Sequence, residues 1–415
     1  MDTELRLRKG ALHWQYEKLR EVQEALERDP VDIETIRKHA ISNGGLVNNE
    51  MRKKAWPKMV GVSVCDISPY DDTALSSHKD RAQVQLDVNR CHRRLPKDMS
   101  EEERAEIQKQ LVRVIVRLLA KHRGIHYYQG FHDIVVTFLL VLGEDLTFLI
   151  MSQLITCHIN DFLDADMTRT KSIIAYISPL LALQCAELEE FITRSECAYY
   201  FSLSWLITWF GHVVEHPDLA CRLVDLFLAT HPLMPVYLST AIILSRKSEV
   251  LSLECELSSV HGLLSRLPDD LNFEALIQKS TELFAQCPPV AVASKGRLNP
   301  RASTLVSSYP KFLQKTARQR PDSVLATLPK NQTLTWAQWG YMPLHSAPWA
   351  AGSVFVITII FFCTLKHYGL LGVAAMWLRP SSWISTMTYI APVAGSVFIA
   401  SAMLWAVKHY SSHRL

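Results

Sequence analysis

The nine cysteines of this 415-residue chain form no CxxC pair and no other metal-ligand spacing. Their odd number argues against a disulfide framework, so they read as reduced, mostly buried thiols in a reducing compartment. Signs of nucleic-acid binding are also missing. The net charge is only +3, and there is no RNP motif, zinc finger or dense Lys/Arg pattern, so nucleic acid is not an expected partner. The first residues, MDTELRLRKG, contain no apolar core, so no secretory signal is expected. Few stretches alternate as strands do and no repeat period shows, which points to an all-α chain. No GxSxG occurs and no GxGxxG opens a helix. No GxxxxGK[ST] is present either, so the chain brings no phosphate-binding loop of its own.

Apolar residues are plentiful, at 48% against 20% charged. Much of that content lies near the C-terminus. From Asn331 to Leu365 there is no Asp, Glu, Lys or Arg, and Trp383–Val407 is again free of charge. A bilayer span needs about 20 apolar residues, and both segments meet this. Trp349, Trp383 and Trp405 lie near the segment ends, where indoles favour the interface. A membrane anchor over residues 347–407 is therefore expected, as a two-span hairpin or one span with a re-entrant segment. Buried soluble helices are the plainer alternative. Between Lys295 and His345, eight Lys/Arg face one acid, Asp322. Positive flanks stay cytoplasmic, so the bulk of the chain should face the cytosol, and a hairpin would return the tail 408–415 there too. The sequon Asn331-Gln332-Thr333 would then go unused.

Helical patterning runs through the rest. Residues 1–39 form an N-terminal extension with an amphipathic helix over 12–28. Ser100 and Glu103 make a capping box. Ile107, Leu111, Val114, Ile115, Leu118 and Leu119 follow at helical spacing, and Gly124 stops the helix. Phe131 to Leu142 is apolar on nearly every side, the mark of a helix buried in an all-α core. Further helices are expected over 145–163, 171–194, 199–213, 218–230, 234–247, 257–266 and 271–286. Residues 287–346, with Pro, Ser and basic residues, read as a linker: a solvated spacer, or a segment lying on anionic lipid.

Three groups of residues could carry chemistry. The first joins VQLDVNR (Val84–Arg90) with YYQG (Tyr127–Gly130), 39 residues apart from arginine to glutamine. Alone, Asp87 and Arg90 would be a surface ion pair with Arg93 and Arg94 extending a basic face, and Gln129 a hydrogen-bonder at a helix start. Together, an arginine and a glutamine on separate rigid elements are what GTP hydrolysis requires. The cation meets charge on the transferring phosphoryl group, and the carboxamide orients the attacking water with one donor and one acceptor. The second group is HVVEH, where His212, Glu215 and His216 match the H-x-x-E-H zinc pattern if they share a helix face. No third ligand stands out among Glu249, Glu254, Glu256 and Glu274, so a zinc hydrolase is a remote alternative. The third is His122, His126 and His132 around Gln129, most simply partly exposed polar residues.

The two motifs of the first group resemble the IxxDxxR and YxQG motifs of the TBC (Tre–Bub–Cdc) domain, the Rab GTPase-activating module. GLVNNEMRKKAW is similar to that domain's opening motif, with Arg52 and Trp56, although its Pro is missing and the spacing is one residue longer. FSLSWLITWFGHVVEHPDLACRLVDLFL, from Phe201, is similar to its third conserved region. The resemblance spans roughly 40–286 and implies a two-lobed all-α fold. It makes Arg90 the arginine finger and Gln129 the glutamine finger, with Asp87 steering the arginine and Tyr127 and Gly130 shaping the glutamine loop. It implies GTP-form Rab GTPases as partners, which carry the GTP and Mg2+. The chain would need no cofactor and no metal, and would activate an enzyme rather than be one. The lipid bilayer is a second expected partner. The membrane-anchored branch of the family implies the endoplasmic reticulum membrane and early-secretory Rabs. A non-catalytic Rab-binding or membrane-shaping protein is the other reading.

Overall fold

The computed structural model describes residues 2–63, 66 and 77–322, without the side chains of 2–12, 92 and 93. Among the described residues every regular element is a helix. The chain divides into two units, Met1–Thr327 and Leu328–Leu415. The second unit, with the expected anchor over 347–407 and the tail 408–415, lies outside the described residues. No described helix is long and apolar enough to cross a membrane.

The first half holds α1 (Asp2–Glu27), α2 (Ile33–Ile41), α3 (Asn49–Val60), α4 (Arg81–Asn89), α5 (Glu101–Lys121), α6 (Phe131–Leu142) and α7 (Glu144–Leu154). The capping box of α5 is formed. The Ser100 hydroxyl accepts from the Glu103 N–H at 3.2 Å, and the Glu103 carboxylate accepts from the Ser100 N–H at 2.9 Å. Burial of α6 is nearly complete, from Phe131 to Leu139 and again at Val141. Its Phe138 ring meets Trp56 of α3 edge-on at 5.2 Å, which fixes α3 against the core.

The second half holds α8 (Thr168–Ile174), α9 (Ile177–Gln184), α10 (Ala186–Arg194), α11 (Leu203–Ile207), α12 (Pro217–Ala229), α13 (Met234–Ser245), α14 (Lys247–Leu251), α15 (Leu257–Leu264) and α16 (Phe273–Gln286). The expected helix over 145–163 ends at Leu154, and that over 171–194 is three helices. The largest correction concerns 199–213. Only α11 is α-helical there, because Trp209 and Phe210 take φ values of 49° and 64°. That backbone is strained for aromatic residues, about 1–3 kcal/mol each. It is held by ring packing: Trp209 meets Phe227 edge-on at 5.4 Å, and Phe210 stacks on Trp205 at 5.9 Å. The apolar spacing that suggested a helix is satisfied by a buried turn.

The expected linker is also corrected. Residues 289–316 form α17 (Pro289–Gly296) and α18 (Thr304–Thr316), docked on the domain. Leu305, Phe312 and Thr316 of α18 are buried. The fully buried Asp161 accepts from the Ser303 hydroxyl at 2.6 Å and from the Thr304 N–H at 2.9 Å. Beyond α18, Lys58 of α3 pairs with Asp322 at 2.6 Å and donates to the Arg320 carbonyl at 3.0 Å. Residues 323–346 lie outside the described residues.

Candidate functional site

Helix α4 sorts its residues by face. Val84, Asp87 and Val88 point inward, while Leu86, Asn89 and Arg90 are exposed. Arg90 caps the C-terminus, its N–H donating to the Asp87 carbonyl at 3.0 Å. The Asp87 side chain is 1% exposed. A carboxylate so placed needs donors. Tyr127 Oη donates to Oδ2 at 3.0 Å and Gln83 Nε2 to Oδ1 at 3.2 Å. Among the described residues no ion pair joins Asp87 to Arg90, so the expected surface pair is absent. Asp87 grips the glutamine-bearing loop instead, and Arg90 is left facing solvent.

That loop is fastened on both sides of Gln129. Before it, Tyr127 is held by Asp87, and the His126 N–H donates to the Leu163 carbonyl at 2.8 Å. Next to it, Tyr128 Oη donates to the Ile207 carbonyl at 2.6 Å. After it, Gly130 takes φ 107°, and a Cβ there would lie 2.9 Å from Thr208 Cγ2. Only glycine allows both that backbone and that approach. Gln129 itself is exposed. Two motifs that are far apart in sequence thus present an exposed arginine and an exposed glutamine from elements joined by a part-buried hydrogen bond.

The ground beneath is polar and largely buried. Burial first, and then the Asp87 charge, push the Tyr127 phenol far above its usual range, so it remains a donor. Burial lowers His132, which lies 3.5 Å from Tyr127 Oη and 3.6 Å from the Asp133 carboxylate. Of the three histidines, His126 is exposed, His132 is buried, and half-buried His122 bonds the Ser152 hydroxyl at 2.6 Å. Arg94 does not extend a basic surface: it is buried and bonded to Val214 and Thr137. Arg93's side chain lies outside what is described.

Arg52 and Trp56 are framework. Both reach Asp225 of α12, which has no exposed surface. Arg52 Nη2 bonds Oδ2 at 3.0 Å, Trp56 Nε1 bonds Oδ1 at 2.7 Å, and the Leu46 N–H bonds Oδ2 at 3.0 Å. Asp225 was not singled out from sequence, though an acid inside an apolar helix is the signal that could have found it. The zinc reading fails on geometry. His212 lies in a turn, Glu215 and His216 are non-helical, and α12 starts only at Pro217, so no helix face aims both imidazoles. His212 Nδ1 faces the Asp133 carboxylate at 3.4 Å. Among the described residues no group of three or more His, Cys, Asp or Glu could hold a metal ion.

A family model of the Rab-GTPase-TBC domain matches residues 49–251, which include both motifs. TBC1 domain family member 20 of Bos taurus is 44% identical over 310 residues, covering 74% of this chain and 77% of that protein. The chain belongs to the Rab-GTPase-TBC domain family. GTPase-activating protein gyp10 of Schizosaccharomyces pombe is 28% identical, over 62% of this chain and 70% of its own. The crystal structure of the Ypt/Rab-GAP domain of Gyp1p matches with a TM-score of 0.53 and 12% identity, over 66% of this chain and 98% of that one, a likeness of fold. In this TBC protein, Arg90, Gln129 and Asp225 all fall inside the matched span, and the docked helices α17 and α18 lie beyond it.

Proposed function

We propose that the chain is a GTPase-activating protein that lends Arg90 and Gln129 in trans to a GTP-bound Rab GTPase. The hydrogen bond from Tyr127 to Asp87 carries this reading, because it ties together the elements that present the two exposed side chains. The Arg90 guanidinium would lie against the phosphoryl oxygens as charge spreads over them. The Gln129 carboxamide would accept from the attacking water and donate to a neighbouring oxygen, fixing the water in line. Neither role needs a shifted pKa. GTP and Mg2+ belong to the partner, so the chain needs no cofactor, and turnover is credited to the GTPase. Family membership and relatives named as GTPase-activating proteins support the same activity.

The two charge-free segments within 347–407, preceded by a basic stretch, support attachment to a bilayer. We assign it to the endoplasmic reticulum membrane with the domain in the cytosol and early-secretory Rabs as partners. The test is GTP hydrolysis by a panel of Rabs with the full-length protein and its Arg90→Ala and Gln129→Ala variants. Loss of the arginine should remove about 10³–10⁵-fold stimulation, and loss of the glutamine most of it. Wild-type rates in both variants refute the assignment.

A further inference from the structure

We propose that Arg94 is a positioning residue for both presented side chains, a second tie between the segment bearing Arg90 and the helix that starts behind Gln129. It rests on the reading of Arg90 and Gln129 given above. Arg94 is four residues past Arg90 and ends the 3-10 turn Cys91–Arg94. It is 6% exposed. A buried guanidinium is costly unless its donors find partners.

Its fork reaches two different elements. Nη1 donates to the Val214 carbonyl at 2.9 Å and Nη2 to Thr137 Oγ1 at 3.1 Å. Thr137 lies on α6, and its hydroxyl passes the link back to the Asp133 carbonyl at 3.2 Å. The Asp133 N–H in turn donates to the Gly130 carbonyl at 3.0 Å, directly after Gln129. Val214 directly follows the turn after α11, at whose start the Ile207 carbonyl accepts from Tyr128 and the Thr208 methyl stands against Gly130. The buried Asp133 carboxylate supplies the opposing charge and counters the downward pull of burial on Arg94. Arg94 therefore clamps both walls of the glutamine loop from the arginine side.

Burial of Val84 and Val88 seats α4 on the core, and the Tyr127–Asp87 bond adds one directed polar attachment to the glutamine loop. A second directed attachment, to α6 and to the chain at Val214, holds the same two elements from another side. Lysine keeps the charge facing Asp133 but is a point donor that cannot span a carbonyl on one element and a hydroxyl on another.

The test uses the full-length protein in detergent micelles, comparing wild type with Arg94→Lys and the milder Thr137→Val. Amide hydrogen exchange is followed over residues 86–91 and 127–131, with α13 as an internal reference. Arg94→Lys should speed exchange about tenfold in both windows and leave α13 unchanged. Thr137→Val should act mainly on 127–131. In single-turnover hydrolysis by a responsive Rab, Arg94→Lys should lower the maximal rate about 10–100-fold and leave the half-saturating concentration within about twofold. Unchanged exchange in both windows overturns the proposal. So does acceleration that includes α13, which would make Arg94 a general stabiliser, or an unchanged maximal rate. The exchange measurement does not depend on any GTPase. Local loosening in a protein that stimulates no Rab would support the tie and refute the proposed function.

Discussion

Replacing Tyr127 with phenylalanine removes one oxygen from the centre of the site. The ring keeps its place, edge-on to Phe131 at 6.5 Å. What disappears is the donor to Asp87 Oδ2 at 3.0 Å, a hydrogen bond to an anion that is 1% exposed. Bonds to charged groups contribute about 1.5–3 kcal/mol, and the acceptor left behind cannot turn to water. Gln83 still serves the other oxygen, so the loss should fall within that range rather than above it. Urea unfolding should show a lower midpoint with an unchanged slope. Pairing Tyr127→Phe with Asp87→Ala in a double-mutant cycle isolates the bond, with an expected coupling of about 1–3 kcal/mol. Stimulation of a responsive Rab should fall with it, because the elements bearing Arg90 and Gln129 lose their direct link. A coupling near zero, together with full stimulation by Tyr127→Phe, would refute the claim that this bond joins the two halves of the site.

Gly130→Ala forces a φ of 107° on alanine and drives its methyl to 2.9 Å from Thr208 Cγ2; a loss of about 2 kcal/mol in stability is expected. Adding Thr208→Ser, which removes that methyl, should restore part of it in thermal melts. Asp225→Asn strips the charge from the buried partner of Arg52, at a cost of about 3–5 kcal/mol, read from the thermal midpoint. Acid should weaken the domain through two buried histidines whose protonation burial disfavours: His158 is lowered to about 3 and His231 to about 4. Their neutral forms are favoured in the folded state, so stability is complete above about pH 6.5 and falls towards pH 4 and 3, by up to about 1.4 kcal/mol per pH unit for each group. Urea midpoints measured from pH 7 to 5 check this, and His158→Phe should flatten the slope. For the membrane anchor, alkaline carbonate should leave the full-length protein in the pellet, and Asn331 should carry no glycan.

The parts of the fold governed by short-range rules were legible in the sequence. The capping box at Ser100 and the mostly apolar helix α6 are each set by a few adjacent residues, while α5 ends at Lys121, ahead of the Gly124 expected to stop it. VQLDVNR and YYQG are likewise each short local patterns. The rest depends on contacts across long sequence distances. Nothing near Asp87 shows that its carboxylate will be claimed by a tyrosine 40 residues on. Arg94 has the same local surroundings as a surface arginine, and its burial is decided by Val214 and Thr137. The 208–214 turn is misread because aromatic burial overrides helical spacing at Trp209 and Phe210. For α18 a usable signal existed, since Leu305, Tyr309, Phe312 and Thr316 recur at helical spacing. It is masked by the proline and basic residues around it.

The docking of α17 and α18 sets where this protein can be cut. A fragment ending at residue 286, where the composition changes, would uncover the seats of Leu305 and Phe312 and strip Asp161 of its partners Ser303 and Thr304. One ending at residue 251, the limit of the family match, would also discard α15 and α16. Poor solubility or inactivity in such a fragment would reflect the missing strap and not the two motifs it was made to study. The shortest piece worth purifying runs to Asp322.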